Sequence, residues 1–115
     1  MTPQDALATI PKKIKVGPHT YEVRIVKTIT GDPDAMAAVF PETQVIELLD
    51  SISSASYVVD CTIHELLHAI WSDRDLGTRA DEEKVVLQFS SGLVQLIQDN
   101  PKLLPWIRRG LRKLF

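Results

Sequence analysis

The stretch from Ser51 to Asp75 contains neither proline nor glycine, and near its centre lies Thr62–Trp71, TIHELLHAIW. An uninterrupted run of that length, with Ile63, Leu66, Leu67, Ala69, Ile70 and Trp71 as an apolar surround, predicts one long, largely buried helix. Within it His64, Glu65 and His68 stand in the spacing H-E-x-x-H. Residues four apart project from one face of a helix, so both imidazoles can reach a single Zn²⁺. Glu65 falls about 100° round the helix from His64, at the rim of that face. From there it can take a proton from a water on the metal without filling a coordination position. A helix with the same residues and no metal would bury polar groups that are costly without a partner.

The rest of the chain has to supply a core for this helix. With 115 residues, 44% of them hydrophobic, there is enough for one core and too little for two, so a single domain over 1–115 is expected. Before the helix, Lys12–Lys27 alternates apolar and polar residues around Gly17-Pro18-His19 and predicts a β-hairpin. Ala35–Phe40 and Gln44–Leu49, separated by Pro41-Glu42-Thr43, suggest a second hairpin, although Val45, Ile46, Leu48 and Leu49 do not alternate cleanly. Residues 2–10 suggest a short helical turn closed by Pro11. After Gly77, Asp81–Gln98 predicts a second long helix, with Glu82, Val85, Val86, Phe89, Leu93 and Leu96 along its inward face. Asn100-Pro101 ends it, and Pro105–Leu114 predicts a last short helix. The expected class is α+β: a small, mostly antiparallel sheet of three to four strands, then two long antiparallel helices carrying the metal site and a short C-terminal helix.

A zinc site that performs chemistry usually has three protein ligands. A short loop between antiparallel helices brings the end of the first beside Asp81, Glu82 and Glu83 at the start of the second. Glu82 lies in line with the apolar face and is the expected third ligand; Glu83, about 100° away, is its rival. Acids in a first helical turn are also favoured by the backbone dipole alone. Asp73 and Asp75, in the connection, can orient a histidine from outside the ligand set. A His, His, carboxylate set favours one Zn²⁺ per chain over other divalent ions.

At TIHELLHAIW and DEEKVVLQFSSGL the chain resembles small zinc metallopeptidases of the gluzincin type, in particular the minimal ImmA/IrrE-like domain found in phages and prophages. The resemblance covers roughly the last half of the chain. It implies that His64, His68 and Glu82 bind zinc, that Glu65 is catalytic, and that the substrate is a protein or peptide. SprT-like peptidases take a third histidine from a later motif, whereas the only other histidine here, His19, precedes the motif.

The expected chemistry is peptide-bond hydrolysis by a metal-activated water, with Glu65 as proton carrier. Tyr57, Tyr21 and His19 are candidates by chemistry for steadying the oxyanion, and Cys61 shares a face with His64. An unregulated protease endangers its host, so narrow specificity or a controlling partner is expected. A different class of function, a non-catalytic protein-binding module with a structural or absent metal, draws on the basic, apolar end LLPWIRRGLRKLF. That end also suits a last helix covering the core. A net charge of -2 disfavours nucleic acid as the main partner. A single cysteine fits a reducing compartment, MTPQDALATIP does not read as a secretory signal, and no apolar run reaches the length of a membrane span, so a cytoplasmic location is expected.

Overall fold

Thr2 and Asp5 start the chain's first helix, α1 (Pro3–Thr9), by bonding each other's backbone: Thr2 Oγ1 accepts from the Asp5 N–H and Asp5 Oδ2 from the Thr2 N–H, both at 3.0 Å. Pro3 at the first position needs no N–H partner, and α1 lays Ala6 and Leu7 into the core. The computed structural model describes residues 1–102, 104–106 and 108. In chain order α1 is followed by β1 (Lys13–Val16), β2 (His19–Val26), β3 (Ala37–Phe40), β4 (Val45–Leu49), α2 (Ala55–Arg74) and α3 (Arg79–Asp99). Residues 104–106 and 108 are helical. The remainder of the expected Pro105–Leu114 helix lies outside the described residues.

The architecture is α+β, with one four-stranded sheet in the order β1-β2-β4-β3. β1 and β2 form the expected hairpin, with Gly17 at φ +57° in its two-residue turn. A Cβ at 17 would displace the carboxylate of Asp73, so glycine suits the place where α2 and the hairpin approach each other. β3 and β4 form the second hairpin, but β4 pairs with β2 in parallel, so the sheet is mixed. This central position explains why VIELL does not alternate: Val45, Ile46, Glu47 and Leu48 are all buried, because a strand covered on both faces has no solvent side.

The register places Val23, Ile46, Leu48, Ala37 and Val39 on one face. There they join Tyr21, the α1 pair and a stripe of α2, Val58, Cys61 and Ala69, in the core. On the opposite face the segment 27–36 crosses the sheet, burying Ile29 and bonding Glu47: the Thr30 N–H donates to Oε1 and its hydroxyl to Oε2, both at 2.8 Å. These two bonds to a buried carboxylate hold that segment in place.

α2 is capped by Ser54, whose Oγ accepts from the Tyr57 N–H at 3.1 Å, and ends at Asp75 in the left-handed conformation, φ 50°. Trp71 Nε1 donates to the Gly77 carbonyl at 3.3 Å, tying the connection back onto the helix. α3 begins two residues earlier than the sequence predicts and packs principally on α2. Its buried stripe is also different from the expected one. Val86 and Ser90 are buried and Leu93 and Ile97 half-buried, whereas Val85, Phe89 and Leu96 face solvent. Among the described residues the helix packs mainly on one neighbour, so one narrow stripe suffices, and the small Ser90 suits a close contact with α2. No described helix is long and apolar enough to cross a membrane.

Candidate metal centre

Half-way along α2 the buried stripe and the histidine face diverge. Cys61, Glu65 and Ala69 point towards the sheet, while His64 and His68 point past it towards the first turn of α3. Their rings are 4.8 Å apart and nearly edge-on, with the two Nε2 atoms separated by 3.2 Å. Glu83 reaches both: its Oε1 is 3.2 Å from His64 Nε2 and its Oε2 3.0 Å from His68 Nε2. The donor atoms of His64, His68 and Glu83 all lie within 4.8 Å of one another.

Glu82, the third ligand expected from the sequence, is placed otherwise. Its Oε2 is 2.6 Å from His68 Nδ1, on the far side of the imidazole from Glu83. A carboxylate can only accept, so a neutral His68 that donates from Nδ1 to Glu82 turns its Nε2 lone pair towards His64 and Glu83, free for a metal. That is the arrangement of a residue that orients a metal-binding histidine from behind. The reason is helix phase: with Val86 and Ser90 turned into α2, Glu82 sits close under His68, its side chain 22% exposed, and Glu83 swings to the open edge at 67%.

The donor set fits zinc. Three lone-pair groups converging on one point repel each other unless a cation or an extra proton lies between them. Tetrahedral zinc with bonds of about 2.0–2.1 Å spaces its ligand atoms by about 3.3 Å. The 3.2 Å between the two Nε2 atoms approaches that figure, and Glu83 presents a different oxygen to each histidine, at 3.2 and 3.0 Å.

Glu65 is not at the rim. It is 8% exposed, and burial pushes its carboxyl up to about 7, with Glu83 acting in the same direction, while His68 and the N–H of Val39 counteract. A carboxyl held there is poised between proton acceptor and donor near neutral pH. The Val39 bond comes from β3, so the outer edge of the sheet faces the motif. Between β3, the middle of α2 and the start of α3 lies a cleft of about 530 Å³ that takes in His64, Glu65, His68, Glu82 and Glu83.

Other singled-out residues lie elsewhere. Tyr21 is buried in the core and Tyr57 lines a groove between the start of α2 and the end of α3. His19 Nδ1 meets Gln44 Nε2 at 3.0 Å and its Nε2 lies 3.8 Å from Asp73, tying the two hairpins to the end of α2. Asp75 caps α2. Cys61 is a buried thiol held up to about 11 by desolvation, so it is an inert part of the core at neutral pH. Asp32, Glu42 and Ser72 line the cleft and were not singled out in the sequence. For Asp32 and Glu42 the only signal is position, since they precede and follow β3. Comparison with known proteins yields no matching family model, no matching curated protein and no matching solved structure.

Proposed function

We propose that the protein is a zinc-dependent metallopeptidase in which His64, His68 and Glu83 hold the metal and Glu65 is the proton carrier. The observation that carries this reading is the convergence of His64 Nε2, His68 Nε2 and the Glu83 carboxylate, whose ligand atoms lie within 4.8 Å of one another, with the buried Glu65 in the same cleft. Zinc bound there supplies Lewis acidity, polarising a carbonyl and lowering the pKa of a water to about 7. Glu65 takes the proton of the attacking water and returns it to the leaving amine, a cycle that its raised pKa suits. Glu82 holds the His68 ring through Nδ1 and raises its basicity as a ligand. The β3 edge gives an extended peptide a backbone to lie along. One buried cysteine suits a reducing compartment, which favours the cytoplasm as the site of action.

Elemental analysis tests the site. About one zinc per chain is expected in the unsubstituted protein and none in His64→Ala, His68→Ala. Glu83→Gln removes a ligand and lowers zinc affinity more than Glu82→Gln, which acts through His68 and costs about 10- to 100-fold. The reverse order would return the third-ligand role to Glu82. Zinc-loaded protein that cuts peptides, beside a Glu65→Gln variant that binds zinc and cuts none, meets the reading. Absence of zinc from the unsubstituted protein after incubation with the metal would leave a non-catalytic binding module.

A further inference from the structure

Five carboxylates line the cleft, those of Asp32, Glu42, Glu65, Glu82 and Glu83, and no lysine or arginine among the described residues does so. Three of them are engaged within the site: Glu82 with His68 Nδ1, Glu83 with both Nε2 atoms, and Glu65 with the Val39 N–H. Asp32 and Glu42 are exposed and, among the described residues, make no ion pair. A divalent ion offsets two charges, so the cleft remains negative when loaded even with Glu65 protonated.

Their position gives these two acids a direction. Asp32 precedes β3, in the segment that Thr30 fastens to the buried Glu47, and Glu42 follows β3 directly after Pro41. Together they bracket Ala37–Phe40, the edge strand that forms one wall of the cleft. The Met36 carbonyl accepts from the Leu49 N–H, so by strand alternation Ala37 and Val39 turn their main-chain groups away from β4 and towards the cleft. The bond from the Val39 N–H to Glu65 agrees with that direction. A peptide extended along this edge has one acid near each end of the strand, with the metal ligands in the same cleft.

We propose that the cleft selects peptides with lysine or arginine on both sides of the bond held at the metal centre, Asp32 recognising one side and Glu42 the other. The cut itself rests on the peptidase reading; the selection is a property of binding and is measured apart from it. Two labelled peptides sharing one apolar core, flanked by lysines in one and by glutamates in the other, are titrated in zinc-containing buffer against Glu65→Gln protein, with fluorescence anisotropy as readout. The lysine peptide is expected to bind about tenfold tighter, the scale of two partly exposed ion pairs. The margin shrinks in high salt. Asp32→Asn, Glu42→Gln in the same background removes it with zinc content unchanged. Equal binding of the two peptides, no binding of either, or a margin that survives the double substitution overturns the proposal. Unsubstituted protein that binds the lysine peptide in zinc without cutting it overturns the peptidase reading and leaves this one standing.

Discussion

At the scale of single residues, Glu65 couples the candidate chemistry to the stability of the metal-free fold. Its carboxyl has an ordinary value of 4.5 when free and is raised to about 7 by burial. The folded state therefore binds more protons than the unfolded state between those values, and Glu65 lowers stability as pH rises through that window. The stabilising effect of the protonated form is full below pH 4.5 and lost above about 7. A shift of that size corresponds to on the order of 3 kcal/mol. Glu65→Gln keeps an acceptor for the Val39 N–H and never ionises. In chelator, urea unfolding should show the variant more stable than the unsubstituted protein by about that amount at pH 8 and nearly equal to it at pH 4. A difference that does not vary with pH would mean that Glu65 ionises without penalty. His64, Glu65 and His68 could be found in the sequence because their spacing alone brings them together on a helix. The choice between Glu82 and Glu83 could not, because it depends on how far α3 is rotated against α2, a tertiary quantity.

The same rotation decides which face of α3 is buried. Its sequence offers two apolar faces that share Leu93: one through Val86 and Ile97, the other through Val85, Phe89 and Leu96. Periodicity cannot rank them. The polar Ser90 falls on the face that packs, so of the expected inward residues Glu82, Val86 and Leu93 are turned in, while Val85, Phe89 and Leu96 are exposed. β4 presents a similar difficulty: its uninterrupted VIELL was readable as a strand, but its parallel partner is distant in sequence and leaves no local mark. The hairpin of β1 and β2, by contrast, was plain from Gly17-Pro18 and clean alternation on either side. The rotation of α3 is tested by one pair of substitutions. Val86, 2% exposed, should cost about 2 kcal/mol when changed to alanine, the lost transfer of two methyl groups plus a small cavity. Phe89, 62% exposed, should change stability by less than about 0.5 kcal/mol when changed to serine. Chemical denaturation of both variants with the metal removed compares them; a larger loss at Phe89 than at Val86 would put the helix back in the orientation that hydrophobic periodicity suggests.

On the scale of the whole molecule, the sheet, α1 and α2 share one core, and α3 stands outside it. Among the described residues none of that core belongs to α3, which rests on α2 through Val86, Ser90 and the half-buried Leu93 and Ile97. At one end the contact is made by the site itself, since His64 and His68 come from α2 and Glu82 and Glu83 from α3. A ligand that needs both helices stabilises every state in which they are together and none in which they are apart. If the site takes zinc as proposed, a free concentration of 1,000 times its Kd adds about 4 kcal/mol. The metal-free protein should therefore open at α3 well before it unfolds, and amide hydrogen exchange separates the two events. Without metal, amides of α3 should exchange faster than those of β2 and β4; with zinc, protection in α3 should rise by two to three orders of magnitude, as about 4 kcal/mol requires at 1.4 kcal/mol per tenfold. Amides at the start of α1, which exchange by local opening without separating α2 from α3, should not change. If α3 is as protected as β4 in chelator, Val86 and Ser90 hold the helix unaided and the metal is bound by a site already formed. If α3 gains protection from zinc in Glu82→Gln but not in Glu83→Gln, the tie between the helices runs through Glu83, as the 3.0 Å and 3.2 Å contacts with the two histidines require of a shared ligand.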